Sequence, residues 1–148
     1  MKWRRLLLWI VILIPVIGVV SVAVSVHHFA YTSVPNSYAV WWVADMAIEH
    51  MEAHDGRWPT SWDELREPYE LCVQRSGQPW TFEELQTRVD VDWNADPSQL
   101  AKENPVAEVP PFRVIWLRDG SRVHWEGREP NQMIFEYLKR RMAKEKKP

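Results

Sequence analysis

Apolar and polar residues follow three different rhythms along this chain. The first is unbroken. After the basic opening MKWRR, Leu6 to Val26 read LLLWIVILIPVIGVVSVAVSV without a charge. A helix rises ~1.5 Å per residue, so this run reaches roughly 32 Å, about the thickness of a bilayer's hydrocarbon core. The pattern predicts a transmembrane helix over residues 6–26. Lys2, Arg4 and Arg5 flank its start, while the far side offers only His27 and His28 before Asp45. Positive flanks stay inside. The expected topology is therefore a cytoplasmic N-terminus (1–5), one pass of the cell (inner) membrane, and an extracytoplasmic bulk. A cleaved signal peptide is the alternative, since Ser21 to Ala23 are small. The apolar run is, however, longer than the ~7–15 residues of a signal core.

The second rhythm is helical. Residues 27–36 form an expected linker, because Pro35 interrupts a helix and Asn36 or Ser37 can cap the next one. A helix is predicted over 37–54. Asp45, Glu49 and Glu52 share one of its faces, and Val40, Val43, Ala44, Ala47, Ile48 and Met51 fill the opposite side. Gly56 then supplies a left-handed cap. Two similar helix starts follow, SWDEL at 61–65 and TFEEL at 81–85. Each reads as a capping box, Ser61 with Glu64 and Thr81 with Glu84.

The third rhythm alternates. In RVDVDWN, 88–94, Val89, Val91 and Trp93 alternate with Asp90 and Asp92, as in a half-buried strand. Four prolines between 95 and 111 predict a loop. FRVIWLRDGSRVHWEG predicts a hairpin over 112–125, turning at Asp119-Gly120 in a type I′ turn. In that register Trp116 faces Val123 and Val114 faces Trp125, and these four share an apolar face with Phe112. Pro130 opens a C-terminal helix whose packing stripe is Met133, Ile134, Tyr137 and Leu138. The fold class is α+β: a membrane helix, an extracytoplasmic domain over 37–138 with short helices and a small antiparallel sheet, and a basic tail over 139–148.

Charge sharpens this division. The net formal charge is −2, but residues 27–138 carry 19 acids and 9 Lys or Arg, and the tail KRRMAKEKKP carries six bases and one acid. An acidic body argues against a nucleic-acid partner. The single Cys72 cannot form an internal disulfide.

A membrane helix, a second helix ending in Asp-Gly, then DGRWPTSW and a small acidic α+β region resemble the pseudopilins of bacterial type II secretion, most closely their major subunit. Asp55, Gly56, Arg57, Trp58, Pro59, Thr60 and Ser61 match the stretch that follows the family's long N-terminal helix in type and order. The likeness covers residues 1–66. It implies a membrane-anchored scaffold with an extracytoplasmic α+β head, in a family where calcium-dependent stabilisation of a loop occurs. The family's cleavage motif is absent from MKWRRLLLWIV: no Gly precedes the span and no Glu stands at its fifth residue. What the likeness implies is therefore a shape and not a secretion role.

Candidate chemistry is sparse. His50 and His54 stand four apart and, with Asp55, could hold a metal ion. Met51 occupies the position where a metalloprotease helix carries Glu. The expected role of the pair is therefore packing and helix-dipole complementation, with His54 inside the apolar face and His50 at its margin. Asp90, Asp92, Asn94 and Asp96 sit at positions 1, 3, 5 and 7 of a calcium loop, but Ala95 and Ala101 replace its Gly and its bidentate Glu. Trp41, Trp42, Trp58, Trp62, Trp80, Trp93, Trp116 and Trp125 are many for one small domain. They form either a Trp-rich core or an exposed aromatic cluster for sugar or peptide. The basic tail is a solvated helix end or a contact for anionic lipid. No nucleophile–base pair, Cys-x-x-Cys or glycine-rich phosphate loop occurs, so no catalytic, cofactor-binding or metal residue is assigned and no cofactor is expected. The expected function is a single-pass, membrane-anchored structural or interaction protein that is not an enzyme. Its expected partners are the bilayer and a protein of the membrane or cell envelope. The alternative is a Trp-rich extracytoplasmic ligand-binding module.

Overall fold

The computed structural model describes residues 2–76, 80–102, 112–123 and 128–145. The chain divides into two compact units, Met1–Pro35 and Asn36–Pro148.

The first unit is built on helix α1, Lys2–His28. Among the described residues one helical stretch, Leu13–Ala53, which begins within α1, is long and apolar enough to cross a membrane. The described apolar side chains of α1 are exposed, from Trp3 and Trp9 to Val26. Pro15 lies inside it, and a long apolar helix tolerates such a residue at the loss of one backbone bond. The helix does not stop at the expected linker. Residues Phe29–Ser33 form a π-helical turn, in which the Val34 N–H reaches back to the Phe29 carbonyl, and α2 follows as Val34–Ala53. Pro35 therefore lies in the first turn of a helix and does not break one. The wide turn just before it makes room for a ring that would otherwise strike the carbonyl four residues back.

The second unit is organised around α2. Ala39, Val40, Val43, Ala44, Met46, Ala47 and Met51 are fully buried there, so more than one stripe is covered. The polar face is held by Arg75, whose guanidinium meets Asp45 at 2.6 Å and Glu49 at 2.5 Å. A short 3₁₀ turn, Trp62–Leu65, leads into α3, Arg66–Ser76. Helix α4 spans Phe82–Arg88 and runs directly into β1, Val89–Val91. The one-turn α5, Pro97–Leu100, lies within the stretch expected to be loop; residues 103–111 of that stretch are outside the described residues. Strand β2 is Ile115–Leu117, and α6 is Pro130–Glu145. The helix α6 buries Ile134, Tyr137 and Leu138 of its expected stripe, and Phe135 as well, while Met133 is half-buried. It continues through the first seven residues of the basic tail.

The sheet corrects the expected hairpin. Strand β2 pairs antiparallel with β1, in the register Val89↔Leu117, Asp90↔Trp116 and Val91↔Ile115. Trp116 therefore faces Asp90 and not Val123, and Ile115 and Leu117 are the buried residues of the strand. Trp125, the other proposed partner, lies outside the described residues. Two physical reasons account for the difference. The Gly120 N–H bonds the Leu117 carbonyl at 3.0 Å, so Arg118 and Asp119 are the central turn residues and Gly120 takes the left-handed position at φ 73°. A type I′ turn needs positive φ at both central residues, and Asp119 does not have it. The outer edge of β2 is also already used. The Asn131 amide accepts from the N–H groups of Val114 (2.8 Å) and Ile115 (3.0 Å) and donates to the Ile115 carbonyl (3.0 Å), standing in for a neighbouring strand.

Candidate functional site

The segment with the densest polar organisation is the reversal after α2, residues 50–64. Its backbone turns at two left-handed residues, Asp55 at φ 52° and Gly56 at φ 80°. The Gly56 N–H bonds the Met51 carbonyl at 2.7 Å, the six-to-one bond of a Schellman cap. The chain then folds back over the end of α2. Trp58 is buried and donates its indole N–H to the Asp92 carbonyl at 2.8 Å, tying the turn to the loop after β1. Pro59 and Leu65 are buried beside it.

This return decides the fate of the two histidines and reverses the expectation for them. The strip of α2 that it covers contains His50, which is 1% exposed, while His54 lies outside. Nδ1 of His50 faces the Glu64 carbonyl at 3.1 Å. A carbonyl only accepts, so the neutral ring carries its proton on Nδ1. Nε2 is then a bare acceptor with no hydrogen-bond partner, 3.9 Å from Glu64 Oε2. Burial, and then the adjacent His54, push the His50 pKa below its ordinary value. His54 donates from Nδ1 to the His50 carbonyl at 2.9 Å, and the two rings stack with centroids 4.2 Å apart.

Glu64 is the hub that the sequence pattern misassigned. Its carboxylate accepts from the Thr60 backbone N–H at 2.7 Å, from Arg57 Nη1 at 2.7 Å and from the Thr60 hydroxyl at 3.1 Å. Those bonds, the Thr60 N–H first, hold its pKa down at about 2. The expected capping box at 61–64 is therefore not formed: Glu64 serves Thr60 and Arg57, and the Ser61 side chain caps nothing. The second box is formed as expected, with Glu84 N–H to Thr81 Oγ1 at 3.1 Å and Thr81 N–H to Glu84 Oε2 at 2.8 Å.

The calcium-like series is dispersed into local bonds. Asp90 pairs with Arg118 at 2.8 Å. Asp92 accepts the Asn94 N–H, and Asp96 accepts the Ser98 N–H as the N-cap of α5. Among the described residues no group of three or more His, Cys, Asp or Glu is placed to hold a metal ion. That includes His50, His54 and Asp55. Cys72, buried against Asp45 at 3.4 Å, has its thiol pKa pushed up to about 12, chiefly by burial. Such a thiol is inert as a nucleophile.

The tryptophans distribute into the core and its margin. Trp42 and Trp58 are buried; Trp41, Trp62, Trp80, Trp93 and Trp116 are half-buried. Trp62 packs edge-on against Trp93 (5.5 Å) and Phe82 (5.9 Å), and Arg88 lies 3.9 Å over Trp80. Two of them line an open cleft of about 520 Å³ between the α2 reversal and the loop after β1, where Trp58 and Trp93 stand with Asp55, Thr60 and Asp96. No family model, characterised protein or solved structure matches this chain.

Proposed function

We propose that this chain is a single-pass membrane protein whose extracytoplasmic α+β domain acts as a structural or interaction module of pseudopilin-like build, without catalysis. The observation that carries the reading is α1: an apolar helix with outward-facing side chains and aromatic residues near both ends. Trp3 and Trp9 stand at one end, and Phe29 and Tyr31, also exposed, at the other. From Trp3 to Tyr31 the rise is ~42 Å, which matches the ~40–45 Å of a bilayer with its headgroup layers, where aromatic belts lie. Lys2, Arg4 and Arg5 at the start favour a cytoplasmic N-terminus. The pseudopilin-like build is supported by the second helix, its Asp55-Gly56 exit and the DGRWPTS segment that packs back beneath it. The partner is a protein of the membrane or envelope.

The cleft beside Trp58 and Trp93 favours a second reading, a ligand-binding module for sugar or peptide. Photo-crosslinkers placed at exposed Glu67 and Glu83 in the intact membrane separate the two. The interaction reading predicts a discrete protein adduct. No adduct, together with saccharide or peptide binding that Trp93→Ala abolishes, would favour the second reading.

A further inference from the structure

The reversal after α2 holds a titratable group in a place where its second proton has no hydrogen-bond partner. His50 is fully covered, and its Nδ1–H is committed to the Glu64 carbonyl. The next proton must go to Nε2. That atom has no acceptor within hydrogen-bond distance. The nearest carboxylate oxygen, Glu64 Oε2 at 3.9 Å, is the one that already binds the backbone and hydroxyl of Thr60. The groups acting on the ring are Glu64, His54 stacked on it from the turn just after α2, and Arg57. Arg57 and a protonated His54 both oppose a charge on His50; only Glu64 favours it.

We propose that His50 is an acid-sensitive latch, and that protonation of its imidazole releases the 54–64 turn from the end of α2. Two courses are open to the imidazolium. Left unpaired, it is a buried charge, which the fold avoids by opening to water. Paired, it draws Glu64 Oε2 away from Thr60, and the bonds that shape the turn are lost. Either course loosens the same segment. The sign follows from the burial: the closed turn disfavours the proton, while the open turn accepts it near the ordinary value of 6.5. The latch is therefore fully closed above that value and weakens as pH falls through the lower value of the closed state. Trp58, tied to Asp92 O from inside the turn, goes with it.

Amide exchange of residues 54–64 in the full chain, reconstituted in lipid nanodiscs and corrected for the intrinsic effect of pH, reads the latch directly. The parent should show a several-fold rise in exchange between about pH 7.5 and about pH 5. His50→Asn keeps a donor near the Nδ1 position and removes the titration, so its exchange should stay flat, while His54→Asn should retain the rise. An equal rise in His50→Asn, or no rise in the parent, would overturn the latch. Should His50→Asn fail to fold, the ring titration of His50 in isotopically labelled parent decides: its midpoint must fall below 6.5 and coincide with the exchange step. A midpoint at the ordinary value, or one unrelated to the exchange, contradicts it.

Discussion

Single residues set the geometry of the reversal after α2. Gly56 is fixed by its conformation: φ 80° is a region that a β-branched side chain occupies poorly. A Cβ at that position would also meet the Arg141 side chain, which has to move aside. Gly56→Val should destabilise the domain by at least ~1 kcal/mol in urea melts, and a melt matching the parent would show that the left-handed turn is dispensable. The glycine was legible in the sequence because an apolar helical stripe ended just before it. The burial of His50 was not. On α2 taken alone it stands at the margin of the apolar face, and only the return of residues 57–65 over that margin covers it. Glu64 was misread for a related reason. Its spacing from Ser61 fits a capping box, but Thr60, four residues before it, and Arg57 offer it three hydrogen bonds, and a carboxylate goes to the partners that bind it best.

At the scale of elements, periodicity did well where one face of one element decides the outcome. Most of the stripe of α6, the strand expected over 88–94, formed at Val89–Val91, and the Thr81–Glu84 box are all local patterns. The hairpin is not formed over the described residues, because strand pairing is a competition between distant segments. Val114, Trp116 and Val123 alternate well enough for a local pair, yet β2 buries Ile115 and Leu117 and pairs with a strand more than twenty residues away. Asn131 completes the edge that the hairpin would have used. Removing it tests this directly. Asn131→Ala leaves two buried backbone N–H groups and one carbonyl without their partner, which should cost about 2–4 kcal/mol. A loss below about 0.5 kcal/mol in the same melts would mean that another segment pairs with the strand edge. Pro35 taught the opposite lesson: a proline expected to end a helix is accommodated by a widened turn.

For the whole molecule, the contrast between an apolar N-terminal unit and an acidic body was plain from the sequence, because membrane insertion depends on length and composition and not on long-range packing. A mostly helical chain with a small antiparallel sheet, compatible with the α+β class, was legible for the same reason that its topology was not: element types are local and their pairing is global. The described tryptophans of the second unit behave as core and margin residues, and the open cleft keeps the half-buried Trp93 within reach of solvent. The central claim is the anchored, outward-facing topology, and one experiment addresses it. A reporter active only outside the cytoplasm is fused after Pro148, and the membranes are then washed with alkaline carbonate. The proposed topology predicts an active reporter on a full-length chain that stays with the membrane. An inactive reporter, or release of a shortened soluble product cut near Ser21 to Ala23, would contradict it.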